Sequence, residues 1–438
     1  MSGSLKFYQE HPIFDACTRF DPATGKLTAI DQNELNQVVS KCHAAGTDIN
    51  GIQRYESEGV TVFSGDIFRT RTRFPRRVYF QITRNCNLEC SYCFLKSRRG
   101  LPHVPVDAVD RLVRFLGRHG LMEVRLTGGE PTTHPSFLHI LDAFRENGIY
   151  VSVATNGMVS QRTLDALAER EHLWIICSVD GNRETHDTYR PNTFNRIVSN
   201  LRYLKERSPT VRLRLTTVLT KRNKGQIRDI ARIAKSVDAE SITVIPLRPQ
   251  VRNPSVLAEM VTAQEFLQVL EEIVSAVDEV GVPITTTLAT RYEARIHKDP
   301  IVRKRAACAA GREATNIDFD SEKQTFMVYG CSYSPAPDVD SPPAIRKPFI
   351  AGEFPAHSVE QFLTIWQDDS AWTIYRNEGF KAAECHACHY YTQQQCVGSC
   401  PIQNIDYGAI KADADVLAQL RSQLSRTMEW YCYKEIAG

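Results

Sequence analysis

Short apolar segments alternate six times with helix-period segments in the middle of this 438-residue chain. The apolar segments are predicted as strands, and the segments between them carry apolar residues at the spacing of amphipathic helices. Six such units in a row predict a parallel sheet covered by helices. They are too few for a closed eight-stranded barrel, so we expect an open or partial barrel. The predicted strands are Val78–Thr83, Met122–Thr127, Tyr150–Ala154, Leu173–Val179, Val211–Leu219 and Ser241–Pro246, and the predicted helices are Val106–Gly117, Ser136–Glu146, Gln161–Arg170, Thr193–Glu206 and Lys224–Ser236.

Segments of different character flank this predicted α/β unit, a partial (βα)6 TIM-like barrel. One amphipathic helix is predicted over Ala263–Val280, and a closing helix over about 415–430. The basic stretch Arg69–Arg77 indicates either a solvated linker or a site for an acidic substrate or leader peptide. The expected segments are a small N-terminal domain (1–75), the barrel (76–255), a bridging helix (256–300) and a C-terminal α+β domain (301–438).

The charge balance and the cysteine count narrow the functional classes. Lys+Arg number 53 and Asp+Glu 51, and this near-neutral balance argues against a dedicated nucleic-acid binder. No apolar run approaches the roughly 18 residues of a membrane span, and no signal peptide is evident, so we expect a cytoplasmic protein. Thirteen cysteines, an odd number, argue against a full set of disulfides. They predict reduced thiols that bind metal or take part in catalysis.

The loop after the first predicted strand has three cysteines at CxxxCxxC spacing, Cys86, Cys90 and Cys93. One short loop of this kind brings three thiolates to a single iron–sulfur cluster. Such clusters take four ligands, and the only further cysteines within 80 residues are Cys17 and Cys42, well upstream. We therefore expect one iron to be open to an outside ligand.

The loops after the later strands carry glycines and polar groups, and in a βα barrel such loops form the active site. Gly128 and Gly129 lack Cβ atoms and so let the backbone approach a ligand closely. Glu130 follows them and is suited to accept a hydrogen bond from a cationic group. Ser178 and Asp180 lie two residues apart at a strand end and therefore share a face. The glycine pairs are equally compatible with ordinary tight turns.

The CxxxCxxC loop with Tyr92 before its last cysteine, followed by Gly-Gly-Glu-Pro after the second strand, resembles the radical S-adenosylmethionine (SAM) enzymes. The resemblance covers about residues 77–253. It implies that Cys86, Cys90 and Cys93 hold a [4Fe–4S] cluster whose open iron is chelated by SAM. The reduced cluster then cleaves SAM to a 5′-deoxyadenosyl radical that abstracts a substrate hydrogen. An external donor such as flavodoxin or ferredoxin would supply the electron.

The same resemblance implies a set of SAM contacts. Glu130 would accept a hydrogen bond from the SAM ammonium, and Ser178 and Asp180 would contact the ribose or the carboxylate. Arg190 would pair with the SAM carboxylate, and Leu247 would contact the adenine. The expected cofactor-binding residues are Tyr92, Gly128, Gly129, Glu130, Asn156, Ser178, Asp180, Arg190 and Leu247.

A second cysteine zone occupies the last third of the chain. Two of its cysteines flank a predicted hairpin near Asn316–Phe319 and Thr325–Tyr329. The later CxxC and CxxxC motifs, with His386 and His389 nearby, by themselves also fit a zinc site. Seven cysteines are more than the four that one tetrahedral metal ion binds, and one fewer than the eight that two such ions would need. The seven are Cys308, Cys331, Cys385, Cys388, Cys396, Cys400 and Cys432.

This layout resembles the SPASM extension of many radical SAM enzymes, which carries two auxiliary [4Fe–4S] clusters and would bring the total to three. The chain departs from the usual pattern in two places. Seven residues rather than five separate the two motifs, and Gly330 directly precedes Cys331. The resemblance implies one cluster on Cys385, Cys388, Cys396 and Cys432, and another on Cys308, Cys331 and Cys400. The latter cluster would have an open iron or a non-cysteine ligand.

The leading hypothesis is oxidative modification or cross-linking of a ribosomally made peptide, because most SPASM proteins resemble maturases of such peptides. The N-terminal region would then recognise a leader peptide or cap the barrel. One alternative is a dehydrogenase or epimerase of a sugar or aminoglycoside-type small molecule. The other is a non-catalytic iron–sulfur electron carrier. Neither nucleic acid nor a membrane is expected as a partner.

The sequence does not single out a catalytic base. Sulfatase-type maturases, which the chain also resembles, carry an Asp just after the second hairpin cysteine, and Ser332 stands at that position here. The remaining candidates are Tyr329, Tyr333 and Arg248.

Overall fold

The chain is described from a computed structural model. Its strands form two sheets, one before residue 65 and one from residue 77 onwards. Three of the cysteines singled out above (Cys42, Cys396 and Cys432) and Arg248 lie outside the described residues. The structure describes residues 6–11, 16–21, 26–30, 32–41, 43–47, 53–57, 60–64, 71–72, 74–95, 97–247, 253–286, 308–334, 343–392, 398–400, 402, 409–411 and 414–424.

The N-terminal segment forms a six-stranded sheet. Its elements are β1 (Lys6–His11), β2 (Ala16–Asp21), β3 (Lys26–Ile30), α1 (Gln32–Val39), β4 (His43–Thr47), β5 (Gln53–Ser57) and β6 (Val60–Ser64). The strand order is β3-β2-β1-β6-β5-β4. Two antiparallel three-stranded meanders therefore lie side by side, joined where β1 runs parallel to β6. Our sequence analysis assigned no elements to this segment.

The second sheet has ten strands. They are β7 (Arg77–Thr83), β8 (Glu123–Gly128), β9 (Tyr150–Thr155), β10 (Trp174–Ser178), β11 (Arg212–Leu219), β12 (Ser241–Pro246), β13 (Ile284–Thr286), β14 (Ala314–Asp320), β15 (Thr325–Tyr329) and β16 (Ile350–Pro355). Strands β7 to β13 are parallel neighbours in chain order. The six predicted barrel strands are confirmed, each within one residue of its expected bounds. The partial barrel predicted from the βα alternation is therefore the observed fold.

The sheet extends beyond the six predicted units at both edges. β13 adds a seventh parallel strand beside β12. At the other edge β14 runs parallel to β7, and β15 and β16 continue the sheet in antiparallel fashion. The predicted hairpin of the second cysteine zone is thus part of the barrel sheet, and the expected boundary at residue 301 separates strands of one continuous sheet.

Helices cover the outer face of this sheet, and the five predicted barrel helices are found within three residues of their expected bounds. The helix α8 begins at a capping box formed by Thr262 and Glu265 and ends at Gly281, whose φ of 80° only glycine adopts without strain. The helices are α2 (Val106–Arg118), α3 (Phe137–Glu146), α4 (Gln161–Ala168), α5 (Arg183–Tyr189), α6 (Phe194–Arg207), α7 (Ile227–Ser236), α8 (Ala263–Val280), α9 (Pro343–Arg346), α10 (Gln361–Gln367), α11 (Thr373–Arg376), α12 (Ala383–His386), α13 (His389–Thr392) and α14 (Val416–Leu424).

The two faces of the barrel strands differ in chemistry. Side chains that point toward the helices are apolar and fully buried, as Val78, Phe80 and Ile82 are in β7. Side chains that point inward are largely polar and half-buried, and along β11 half-buried and buried residues alternate strictly. A closed barrel of this type is normally filled by branched apolar residues. The inner face of this open barrel is instead a partly accessible polar surface.

The basic stretch before the barrel is attached to the C-terminal region. The side chain of Arg71 is only 6% exposed, and its Nε donates to Asp369 at 2.7 Å. The Thr72 carbonyl accepts a hydrogen bond from the Trp366 indole at 2.8 Å. For these residues the interpretation as a solvated linker is wrong, because both are buried against the C-terminal region.

Among the described helices, none combines the length and the apolar character that crossing a membrane requires.

Candidate active site

The three cysteines of the first motif lie in the loop that follows β7. Cys86 and Cys90 are 8% and 9% exposed, and Cys93 is half-buried. The loop turns back on itself, since Cys86 N donates to the Arg98 carbonyl and Cys93 N to the Cys90 carbonyl, each at 3.1 Å. The backbone N–H of Leu88 donates to the Cys86 sulfur at 3.4 Å. One short loop therefore presents three thiols at the carboxyl end of the parallel strands.

Gly128 and Gly129 bring the loop after β8 against the cysteine loop. Gly129 N donates to the Thr83 carbonyl and Glu130 N to the Asn85 carbonyl, both at 2.9 Å. A Cβ at Gly128 would collide with the Thr83 carbonyl, and one at Gly129 with the Asn85 carbonyl. The two glycines let the backbone approach closely, as predicted, and the group that it approaches is the backbone of the cysteine loop and the end of β7. The predicted approach of Gly128 and Gly129 to a ligand stays a prediction.

The Glu130 carboxylate is enclosed by the protein. The side chain is 0% exposed. Thr132 N and Oγ1 and Thr155 Oγ1 donate to one carboxylate oxygen at 2.6–3.2 Å, and Asn156 N donates to the other at 2.7 Å. Burial raises the pKa of Glu130, although these hydrogen bonds oppose the shift. In the structure this carboxylate joins the loop after β8 to the loop after β9. Its predicted hydrogen bond with the SAM ammonium stays a prediction.

Asp180, Arg190 and Tyr92 form a buried polar group beneath the cysteine loop. Asp180 Oδ2 accepts hydrogen bonds from the Tyr92 hydroxyl and from Arg190 Nε, the latter at 2.8 Å, and Oδ1 accepts from Val218 N at 2.9 Å. Burial alone would raise the pKa of Asp180, but Arg190 and the nearby His186 outweigh it and lower the pKa. The two side chains are directed at each other, and their predicted contacts with SAM stay predictions.

The remaining predicted contacts have different surroundings. Asn156 Nδ2 donates to Asn87 Oδ1 at 2.7 Å and lies 3.8 Å from the Cys86 sulfur. Ser178 is half-buried on the inner face of β10. Leu247 is 2% exposed and packs in an apolar cluster with Tyr92. Asn156 thus contacts the cysteine loop directly, whereas Leu247 is in the same apolar cluster as the ring of Tyr92, which belongs to that loop.

The donor set of the cysteine loop fits a [4Fe–4S] cluster with three protein ligands. Burial raises the pKa of the Cys86 thiol to about 12, so a thiolate there requires a neighbouring cation such as cluster iron. Backbone N–H groups directed at sulfur, like that of Leu88, are typical around such clusters. Within the described ranges, no three His, Cys, Asp or Glu side chains converge on a position for a single metal ion.

The cysteines of the second zone lie around the hairpin of β14 and β15 and the segment after α11. Burial raises the pKa of Tyr375, and the thiols of Cys331 and Cys400 raise it further, so both lie near this ring. Cys385 accepts a hydrogen bond on sulfur from Ser399 N at 3.3 Å, and Cys388 N donates to its carbonyl at 3.0 Å. Cys308 is exposed. The implied ligand sets stay predictions, since Cys396 and Cys432 lie outside the described residues.

The candidate catalytic tyrosines lie on the hairpin side of the barrel. Tyr329 is fully buried and accepts a hydrogen bond from Gln81 Nε2, and burial raises its pKa well above the usual value. The Tyr333 ring lies 4.8 Å from that of Phe94, the residue after Cys93. The third candidate, Arg248, is outside the described residues.

A buried ion pair that the sequence did not predict lies beside the cysteine loop. Arg84, two residues before Cys86, pairs with Asp318 of β14, and the side chains are 17% and 1% exposed. This pair joins the cysteine loop to the hairpin strand. Asp318 alternates with the buried Ile317 and Phe319 along β14. A polar residue between apolar ones in a predicted strand was the available signal, but its partner lies 234 positions away.

We expect Gly129→Ala to destabilise the metal-free protein by roughly 1–3 kcal/mol, the usual range for forcing atoms into a packed site. The added Cβ would meet the Asn85 backbone, which is not able to rotate away as a side chain does. Urea denaturation measures the change. Gly225→Ala is the matched control, because a Cβ there meets no atom within 4 Å. Equal stabilities of the two variants would contradict the interlocking of the loops.

We expect Asp180→Asn to destabilise the protein by about 3–5 kcal/mol at pH 7, because it leaves Arg190 buried without its counter-charge. The folded-state pKa of Asp180 lies below the unfolded value of about 3.9. Its stabilising effect is therefore present above the unfolded pKa and is lost as the pH falls through the folded pKa. Urea denaturation between pH 7 and about 3.5 follows this loss.

The control for this prediction is Asp142→Asn, which breaks an ion pair with Arg170 at a more exposed position. Exposed pairs contribute about 1 kcal/mol or less. If Asp180→Asn cost no more than this control at pH 7, the buried group would not stabilise the site.

Comparison with known proteins assigns a family to this site. Residues 80–234 match the model of the Radical SAM superfamily. The mycofactocin maturase MftC of Mycobacterium tuberculosis is 26% identical over 331 residues, which cover 74% of this chain and 78% of that protein. The AdoMet-dependent heme synthase of Methanosarcina barkeri is 25% identical over 337 residues, covering 75% and 91%.

A solved structure shares the fold over most of the chain. The structure of SuiB from Streptococcus suis bound to its precursor peptide SuiA aligns with a TM-score of 0.64 at 15% identity, covering 92% of this chain and 95% of that one. The match over residues 80–234 includes the cysteine loop and the Gly-Gly-Glu loop that the fold brings together. Residues 80–234 therefore form a radical SAM domain, as the cysteine and Gly-Gly-Glu motifs predict.

Proposed function

We propose that this radical SAM enzyme abstracts a hydrogen atom from a ribosomally made peptide and thereby oxidises or cross-links it. The observation that carries the proposal is the interlocking of the cysteine loop with the Gly128–Gly129 loop at the carboxyl ends of β7 and β8. The half-buried polar inner face of the barrel continues from this point. A substrate segment that enters the open barrel would lie along that face.

Cys86, Cys90 and Cys93 would hold a [4Fe–4S] cluster together with SAM. When bound, this cluster supplies the electron that cleaves SAM to a 5′-deoxyadenosyl radical for hydrogen abstraction. The chain itself positions and shields the loop. Burial of two of the three thiols keeps water away, and the hydrogen bonds of Gly129 and Glu130 fix the loop backbone. Ser178, half-buried on the inner face, is one of our candidates for a contact with SAM or substrate.

Two similarities support a peptide as the substrate. The relative MftC is named as a maturase, and SuiB was solved with a precursor peptide bound. The SuiB alignment covers 92% of this chain, so it reaches into residues 1–75. We propose that the six-stranded N-terminal sheet recognises the leader part of the substrate, rather than only capping the barrel.

We further propose two auxiliary [4Fe–4S] clusters in the C-terminal region, with flavodoxin or ferredoxin as the external electron donor. One cluster would use Cys385, Cys388, Cys396 and Cys432. The other would use Cys308, Cys331 and Cys400 and would need a non-cysteine ligand or have an open iron. The proximity of Cys331 and Cys400 to Tyr375 supports the second set.

A small-molecule substrate is the second candidate. The relative from Methanosarcina barkeri is named as a heme synthase, and it matches this chain over a similar length at 25% identity. The two candidates differ in the molecule that donates the hydrogen atom, a peptide or a small molecule. Isotope labelling of the substrate shows directly which of them does so.

We expect anaerobically reconstituted protein to contain about twelve iron and twelve sulfide ions per chain, four for each of three clusters. Cys90→Ala and Cys388→Ala should each lower the iron content by about four. Cys177→Ala is the matched control and should leave it unchanged, because Cys177 is a fully buried core residue. About four iron ions in the unaltered protein would contradict the auxiliary clusters, and zinc in their place would favour a zinc site.

We expect the reduced protein to convert SAM to 5′-deoxyadenosine, and Cys90→Ala to abolish this, as followed by chromatography and mass spectrometry. Peptides encoded by short reading frames beside the gene should lose two hydrogen atoms in the same reaction. Deuterium placed in the reacting residue should appear in 5′-deoxyadenosine. Intact clusters without any 5′-deoxyadenosine would favour the electron-carrier alternative, and 5′-deoxyadenosine without peptide turnover would favour a small-molecule substrate.

A further inference from the structure

The inner face of the barrel carries a cluster of arginines below the cysteine loop. Arg77 of β7 and Arg125 of β8 share the buried carboxylate of Glu123, at 2.6 and 3.5 Å. Arg212 of β11 pairs with Glu240 at 2.9 Å, near the start of the strand. Three of the four arginines that project inward from these strands are thus matched by acidic side chains.

The fourth, Arg214, has no carboxylate within ion-pair distance in the described part of the chain. Its Nε donates to the Ser241 hydroxyl at 3.0 Å, and its guanidinium lies 4.3 Å from the centre of the Trp174 ring. The indole N–H of Trp174 is itself buried and lacks a hydrogen-bond acceptor among the described residues. Two donors that need an acceptor therefore lie side by side on the inner face.

The surroundings of Arg214 make its charge costly. Burial lowers its pKa to about 10, and repulsion from Arg125 and Arg77 adds to the shift, although attraction to Glu123 opposes it. Stacking on Trp174 recovers about 0.5–2 kcal/mol, and one hydrogen bond to a hydroxyl satisfies one of five N–H donors. An unpaired buried charge is normally compensated by a counter-ion. Arg214 therefore lacks a paired counter-charge, which a bound anion would supply.

The position of Arg214 relates it to the reaction site. Arg214 is paired in register with Ile176 of β10, two residues before Ser178. At about 3.3 Å per residue, Arg214 lies about 7 Å below Ser178 and farther below the cysteine loop. An extended peptide advances by a similar amount per residue. A group bound at Arg214 would thus belong to the same short stretch of substrate as the reacting residue.

We propose that Arg214 and Trp174 form a subsite for a carboxylate of the peptide substrate, carried by an acidic side chain or by the C-terminus a few residues from the reacting position. This inference rests on the proposed peptide substrate. Arg214 would bind the carboxylate through its free N–H groups, and the Trp174 indole would add a third donor. Arg77 and Arg125 would supply long-range attraction, while Glu123 holds both in place. The subsite makes an acidic group a specificity requirement of the enzyme.

The test uses reconstituted holoenzyme with SAM and three libraries of N-acetylated hexapeptides without other acidic residues. One library has Glu at a fixed position and an amidated C-terminus, the second has Gln instead, and the third has Gln and a free C-terminus. Peptides retained after ultrafiltration are counted by mass spectrometry. We expect about tenfold preference for the Glu or the free-acid library over the amidated Gln library, typical of charge-assisted hydrogen bonds. Which of the two is preferred identifies the source of the carboxylate.

Variants of Arg214 test whether this residue causes the preference for peptides that carry a carboxylate. Arg214→Gln should abolish it, and Arg214→Lys, which keeps the charge but not the planar donor fork, should retain a smaller one. Arg232→Gln on the outer surface of α7 is the matched control and should leave it unchanged. Equal retention of all libraries by the unaltered enzyme, including no retention, overturns the proposal, as does an undiminished preference in Arg214→Gln. The same samples are assayed for 5′-deoxyadenosine, whose absence in the unaltered enzyme would contradict the proposed function instead.

Discussion

Two backbone hydrogen bonds, from Gly129 to Thr83 and from Glu130 to Asn85, hold the cysteine loop against the next loop of the barrel. They form only because two consecutive residues lack a Cβ, since any side chain would collide with the carbonyls opposite. Three thiols on a flexible loop would not hold a fixed arrangement. Once the loop is joined to the ends of β7 and β8, the parallel sheet fixes its position.

Buried polar groups extend this attachment to the rest of the barrel. Glu130 links the loops after β8 and β9, and Asp180 links β10 to Tyr92 of the cysteine loop. Charged groups removed from water stabilise a fold only when every lone pair and proton has a partner. Both carboxylates accept hydrogen bonds from internal donors on each oxygen. These bonds position the loops of the site.

The polar inner face gives this framework its capacity for a substrate. In a closed barrel the inward positions are needed for packing, whereas an open barrel leaves them accessible. Here the matched arginines around Glu123 form a fixed floor, and Arg214 remains without a carboxylate among the described residues. The attachment of the cysteine loop and Arg214 thus lie toward opposite ends of the same parallel sheet, which connects the proposed chemistry to the proposed choice of substrate.

The sequence predicted local features well because their signals are local. The strand and helix bounds, the capping box of α8 and the cysteine spacing all depend on residues within a few positions of one another. The N-terminal sheet was missed, because its short strands lack a clear alternation. The partners of Glu130, Asp180 and Arg190 within the fold were not predicted, for a related reason. A motif gives the residue type at a position but not the partner that the fold brings to it.

By itself, the sequence determined that the chain alternates strands and helices and carries three thiols after the first barrel strand. Hydrophobic period and residue spacing are sufficient for both. Only the tertiary structure decided that the hairpin of the second cysteine zone extends the barrel sheet beside β7, that Arg84 meets Asp318, and that Arg214 lies against Trp174. The pairing of β14 with β7 and the Arg84–Asp318 pair each join residues more than 200 positions apart. The contact of Arg214 with Trp174 joins two neighbouring strands whose side chains point to the same face. Contacts of this kind follow from strand register and packing, which no local pattern encodes.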